Sequence, residues 1–134
     1  MSIYYRLDGL TDNLNPEGSR KRGLFPRIIR KKTVSLRELC ELAAAGTTFN
    51  VFELESAGRL LISEIIDQLS DGNNVCLDDF GTFSLSAEAI RPAQDEYDIR
   101  AESIRVKKVV FKTSKRLMSR MKYVVFKRKP KQKT

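Results

Sequence analysis

Apolar and polar positions change period several times along the chain, and each change marks an element. From Ser35 the period is helical: Leu36, Leu39, Cys40 and Ala43 fall at i, i+3, i+4 and i+7, the stripe of a one-sided helix. Ser35 with Glu38 three residues on forms a capping box that places the start, and AGTT with Gly46 places the end. Asn50 and Glu53 repeat the starting signal for a longer helix over 50–71. Along it Leu54, Ala57, Leu61 and Ile65 share one side, Ile62, Ile66 and Leu69 extend that surface, and Val51 and Phe52 widen it near the start. The apolar arc then exceeds half the circumference, whereas one helix on one small core needs only about 100°. Such a surplus predicts a helix buried twice, once by its own chain and once by a second copy, in a homodimer.

After the turn SDGNN the period drops to two. Val75, Leu77, Phe83 and Leu85 alternate with polar residues, predicting strands 75–78 and 82–86 joined at the DDFG corner. Gly81 is expected to supply the backbone freedom for that turn, with Phe80 and Phe83 as core plugs. IRVKKVVF (104–111) predicts a half-buried strand with Ile104, Val106 and either Val109 or Phe111 inward and Arg105 and Lys107 outward. TSKRLMSRMKY (113–123) predicts a short helix capped by Thr113 or Ser114, with Leu117, Met118 and Met121 inward. Lys115 and Arg116 in its first turn sit at the positive dipole end, where they call for an anion. At the two ends of the chain, SIYYRL (2–7), LFPRIIRKKTVS (24–35, Pro26 near its start) and YVVF (123–126) read as strands, the last followed by a basic, disordered tail.

Composition sharpens this picture. With 134 residues, 41% of them apolar, the chain suits one domain with extensions. The net charge of +8 is unevenly spread: residues 18–37 hold eight Lys/Arg and residues 105–134 hold thirteen, neither with an acid. Residues 38–104 hold fourteen Asp/Glu against Arg59, Arg91 and Arg100. Two basic blocks around an acidic centre point to a polyanion as partner. The chain has no histidine, which excludes imidazole acid–base chemistry, His-based metal sites and Ser-His or Cys-His nucleophile pairs. Cys40 and Cys76 lack CxxC spacing and read as reduced core residues. No phosphate-binding glycine loop is present, and Asp78–Asp79 falls at a turn, where aspartate has a conformational reason to be. No apolar run has membrane-spanning length and no leader pattern opens the sequence. These features predict a soluble, cytoplasmic protein that is not an enzyme, with no cofactor, metal, membrane or small-molecule substrate.

The order of pieces resembles the HU/IHF family of bacterial histone-like DNA-binding proteins. DGNNVCLDDFGTFSLS (71–86) echoes its G-x-x-V-x-L-x-x-F-G-T-F pattern and FKTSKRLMSRM (111–121) its F-x-x-x-K-x-L pattern. Between Phe83 and Phe111 lie 27 residues, close to the family's interval for its β-arm. The resemblance covers about 35–122, so residues 1–34 are an N-terminal extension with strands, as in longer HU-like variants, and 123–134 a short strand with the basic tail.

What the resemblance implies is an α+β fold: two N-terminal helices, a β-saddle with an arm, a C-terminal helix, and an intertwined dimer located in the bacterial nucleoid. The dimer interface would draw on Phe52, Leu54, Leu61, Ile62, Ile65 and Ile66, with Phe80 and Phe83 seating the saddle on the helical base. Double-stranded DNA would be held through its backbone, and bent, with little sequence preference, by Thr82, Arg105, Lys107, Lys112, Ser114, Lys115 and Arg116, together with Arg91, Pro92 and Arg100 in the arm. The arm departs from the family pattern: residues 87–103 carry five acids, Glu88, Asp95, Glu96, Asp98 and Glu102, against two arginines. Carboxylates are repelled by a phosphate-lined groove, which keeps open an HU-like module for protein partners, and the lysine-rich tail, which does not distinguish DNA from RNA, keeps open an RNA-binding protein.

Overall fold

The structure is a computed structural model that describes residues 2–10, 23–91, 97 and 101–129. It is a mixed α+β architecture in two compact units, Met1–Thr33 with Arg120–Thr134, and Val34–Ser119. Among the described residues no helix is long and apolar enough to cross a membrane.

The Val34–Ser119 unit opens with helix α1 (Leu36–Ala44), where the Ser35 hydroxyl accepts the Glu38 N–H at 3.2 Å. Its covered stripe is Leu36, Cys40 and Ala44, an i, i+4, i+8 row, and Leu39 and Ala43, expected inside, are exposed. The reason is geometric: α2 is the element packed on α1, and one neighbour covers a narrower strip than the apolar pattern offers. Helix α2 (Val51–Ser70) starts at Asn50, whose Oδ1 accepts the Phe52 N–H at 2.8 Å. Leu69 is buried and Leu54, Gly58 and Ile65 are half-buried, whereas Leu61, expected on that side, is exposed together with Leu60, Ile62 and Ile66. Among the described residues only Cys40, Ala44 and Leu69 are buried apolar residues.

Three antiparallel strands follow in the order β3-β4-β5: β3 (Val75–Leu77), β4 (Gly81–Ala89) and β5 (Ile104–Thr113). Phe111 stacks on both Phe83 and Phe80, with centroids 4.8 and 5.2 Å apart. The corner between β3 and β4 corrects the expectation for Gly81. The left-handed residue there is Asp79, at φ 62°, while Gly81 already sits in β4, facing Leu77 and Thr113. A Cβ at Gly81 would lie 2.6 Å from the Lys112 carbonyl oxygen and closer still to the Phe111 ring. Glycine is therefore required by the approach of β5, and the turn is left to an aspartate, which tolerates that conformation.

Cys76 is exposed, contrary to the expectation of two core cysteines; it lies across from Thr82 on the polar side of the hairpin. Helix α3 (Lys115–Met121) is capped by Ser114, whose Oγ accepts the Leu117 N–H at 3.1 Å. Leu117 is half-buried, but Met118 and Met121, expected inward, are exposed, because no other element packs extensively along this helix.

The other unit is a three-stranded sheet, β2-β1-β6. Strand β1 (Ser2–Leu10) pairs antiparallel with β2 (Gly23–Ile28) and parallel with β6 (Val125–Arg128). Strand β2 is shorter than the 24–35 expected, and Pro26 sits on a strand with one free edge, where its missing N–H is tolerated. Strand β6 is displaced two residues from YVVF and takes in Lys127 and Arg128, two residues expected in the tail. Arg6 and Arg27 face each other across β1 and β2 and share the Asp8 carboxylate at 3.2 and 3.4 Å.

Candidate nucleic-acid interface

Strand alternation in β4 and β5 sorts the side chains of the Val34–Ser119 sheet into two rows. Phe83 lies opposite Phe111 and Leu85 opposite Val109, which makes one row aromatic and aliphatic. The other row sets Thr82 opposite Lys112, Ser84 opposite Val110 and Ser86 opposite Lys108. The register slips between Ser86 and Ala87, so that Ser86 pairs with Lys108 but Ala87 with Val106, leaving Lys107 as the extra residue. This slip explains the apolar pattern of β5, which changes from even positions (Ile104, Val106) to odd ones (Val109, Phe111) without a change of face. Lys108, absent from the residues expected at the site, is thereby a face residue beside Lys112. The parity change in the sequence is the signal that could have located it.

Beyond the slip, Glu88 faces Arg105 and accepts its Nε–H at 2.8 Å. At the opposite end Arg116 donates to Asp79 at 3.0 Å. The anion that Arg116 meets is thus a carboxylate of the β3–β4 corner. A backbone bond from the Ser114 N–H to the Phe80 carbonyl, 3.0 Å, ties the same two segments together. Lys107, Lys108, Lys112 and Lys115 are exposed and have no ion-pair partner among the described residues. The Ser114 hydroxyl is engaged in capping α3.

The structure therefore brings Thr82 and Lys112 together, holds Arg105 and Arg116 against acids, and places Lys107 at the register slip. Arg91 is exposed just past the end of β4. Pro92 and Arg100 lie outside the described residues, as do Asp95, Glu96 and Asp98. The base of the arm is paired as far as Ala89 opposite Ile104, and the Ile90 N–H reaches the Ser103 carbonyl at 2.8 Å. Of the residues expected at a dimer contact, Phe52, Leu61, Ile62, Ile66 and Phe80 are exposed in the single chain, and Leu54, Ile65 and Phe83 are half-buried.

No curated protein matches the sequence. Ten chains of solved structure match in fold. One is a candidate bacterial DNA-binding protein from Bacteroides vulgatus ATCC 8482, similar with a TM-score of 0.67 at 10% identity. The match takes in 95% of this chain but 47% of that one, so this chain spans about half the length of its relative. At that identity the likeness is one of fold alone. The family model for HU-HIG, an HU domain fused to a wHTH, Ig or glycine-rich motif, matches residues 1–128, and the chain belongs to that family.

Proposed function

We propose that the protein binds double-stranded DNA through the polar row of β4 and β5, with little dependence on sequence, as a homodimer of the bacterial nucleoid that bends its substrate. The observation that carries this reading is the row itself: hydroxyls of Thr82, Ser84 and Ser86 beside Lys108 and Lys112, cations that no described acid neutralises. Hydroxyls and ammonium groups on a regular sheet match phosphate oxygens and carry no base code, so the contact positions a duplex without selecting its sequence. Membership of an HU-domain family and the fold shared with a candidate DNA-binding protein support the same reading. The exposed apolar positions of α2 support the dimer.

The test is a salt titration of duplex binding. Each neutralised phosphate adds about −0.9 to the slope of log K against log salt. In the proposed homodimer the Lys108→Gln/Lys112→Gln variant removes four lysines and is expected to flatten that slope by up to about 3.6. An unchanged slope removes β4–β5 from the contact. Bending is checked by the change in end-to-end distance of a duplex labelled at both ends.

Glu88 and Asp79 act against such binding, because each holds an arginine beside the row. Glu88→Gln and Asp79→Asn are each expected to tighten duplex binding severalfold and, with one arginine released in each protomer of the dimer, to steepen the slope by up to about 1.8, as Arg105 or Arg116 turns to phosphate. Both pairs are exposed, so their loss costs at most about 1 kcal/mol of stability. Equal affinity for wild type and both variants would place Arg105 and Arg116 away from DNA.

A further inference from the structure

Strand alternation sorts the side chains of the β2-β1-β6 sheet onto two unlike faces. On one lie Ile3, Tyr5, Leu7, Pro26, Ile28 and Phe126, and there the Tyr5 and Phe126 rings meet edge to face with centroids 6.4 Å apart. The other face sets Arg6 opposite Arg27, Asp8 opposite Phe25 and Tyr4 beside Lys127. A sheet ordinarily gathers its aromatic side chains on the apolar face and leaves polar ones on the other. Here two rings stand among the charges instead. Tyr4 and Phe25 are 39 and 50% exposed, and neither stacks on another ring among the described residues.

The arginines of this face are held in place. Arg6 and Arg27 stand directly opposite each other, a like-charge pair that destabilises a sheet by itself. Asp8 fixes both: its Oδ1 lies 3.2 Å from Arg6 Nε and its Oδ2 3.4 Å from Arg27 Nε. One carboxylate thus spans two guanidiniums, which keep a positive charge between them and remain 59 and 68% exposed. Phe25 marks the Asp8 end of the face, its ring over Gly23, where a Cβ would come within 2.9 Å of it. Tyr4 marks the other end, about 13 Å away at the usual rise of a strand. Lys31 Nζ sits 5.7 Å from the centroid of the Tyr4 ring.

We infer that this face is a binding site for single-stranded DNA, in which the Tyr4 and Phe25 rings stack on two bases of one strand and Arg6, Arg27 and Lys127 hold the phosphates between them. Cations alone would accept a duplex as readily as a single strand. Rings reach only bases that have left the duplex stack, so aromatic side chains interleaved with cations select the single strand, with little regard to sequence. A base arriving on Tyr4 displaces the flexible Lys31 chain, which turns to the adjoining phosphate. Deoxyribose is favoured over ribose because Asp8, the carboxylate of this face that could accept from a 2′-hydroxyl, has both oxygens engaged by guanidiniums. The site lies on the β2-β1-β6 sheet and not on the β4–β5 row, and it stands independently of the duplex reading. It gives the added sheet a ligand of its own, the strand exposed where a duplex has opened.

The experiment titrates the full chain against a labelled deoxyuridine strand of about ten nucleotides, short enough for one sheet, a uridine strand of the same length, and a duplex. Y4L/F25L keeps the apolar bulk and removes the rings. It is expected to bind the deoxyuridine strand about a hundredfold more weakly, with duplex affinity unchanged. R6Q/R27Q is expected to flatten the salt slope on that strand by up to about 1.4, at about 0.7 for each phosphate released. K108Q/K112Q is expected to leave single-strand binding as it is. Should the double ring variant not fold, Phe25→Leu carries the same test with about a tenfold loss. A folded ring variant that binds the single strand as tightly as wild type overturns the inference, and so does a loss confined to K108Q/K112Q. Tighter binding of the uridine strand than of the deoxyuridine strand overturns the assignment to DNA. A wild type that binds the duplex but not the single strand overturns this inference and leaves the β4–β5 reading in place, whereas the reverse result removes the duplex reading alone.

Discussion

Gly81→Ala is expected to lower the unfolding free energy by about 3 kcal/mol, at the upper end of what overpacking costs. The methyl group would enter space already held by the Phe111 ring and by the Lys112 carbonyl oxygen, 2.6 Å away. A ring can rotate aside, but a carbonyl within a paired strand cannot move without breaking the ladder. Gly81 and Thr113 face each other at one end of that ladder, where the Ser114 N–H also meets the Phe80 carbonyl. Strain there would loosen the Phe80–Phe83–Phe111 cluster and the corner that positions Asp79 for Arg116. Urea unfolding measures the loss directly, with Gly46→Ala as a reference. Gly46 has φ 79° and open space around it, so alanine there costs only the left-handed penalty of about 1–2 kcal/mol. If Gly81→Ala costs no more than Gly46→Ala, the close approach of β5 is not what demands glycine.

The same residue shows which features a sequence displays and which it hides. FGTF is visible as a pattern, and a glycine beside an aspartate pair at a predicted turn invites the turn explanation. The actual reason lies on β5, some thirty residues further on, and no local signal carries it. Helix ends are the opposite case. The bonds from Glu38 N–H to Ser35 and from Phe52 N–H to Asn50 each join residues two or three apart, so both starts were legible. The breadth of the apolar pattern was legible too, but not which part of it the chain itself covers. Leu36, Cys40 and Ala44 lie inside where Leu39 and Ala43 were expected, because the strip is chosen by where α2 lies.

Long-range pairing accounts for the remaining surprises. Strand β6 adds parallel to β1 across more than a hundred residues, and its parallel pairing with β1 was absent from the pattern. Lys127 and Arg128 consequently read as tail when they are strand. The parity change in β5 was visible, yet it acquires meaning only with the register of β4, which moves Lys108 onto the polar row.

Ile62→Asp and Ile66→Asp are each expected to abolish the folded dimer, and the unfolding midpoint of the wild type is expected to rise with protein concentration. Leu60, Leu61, Ile62 and Ile66 are 72, 67, 46 and 57% exposed on one helix, while three apolar residues are buried in all the described chain. Full burial of an aliphatic side chain is worth roughly 1.5–3 kcal/mol, so covering the exposed part of these four recovers about 4–7 kcal/mol gross. Association itself consumes about 4–15 kcal/mol, so four residues alone are not enough. The proposed contact would then also need Phe52, Phe49 and the exposed Leu39 and Leu42 of α1. An interface of that composition resembles a domain core cut in half, and its protomer has little stability of its own. A single carboxylate at position 62 or 66 would be buried without a partner, at a cost of several kcal/mol, which is comparable to the whole margin of a small domain. For a two-chain unit, each tenfold rise in concentration adds about 1.4 kcal/mol to the unfolding free energy. Sedimentation equilibrium and urea unfolding at several concentrations read both effects. A monomeric mass with a midpoint independent of concentration, in wild type and variants alike, would mean that the apolar face of α2 is left to water.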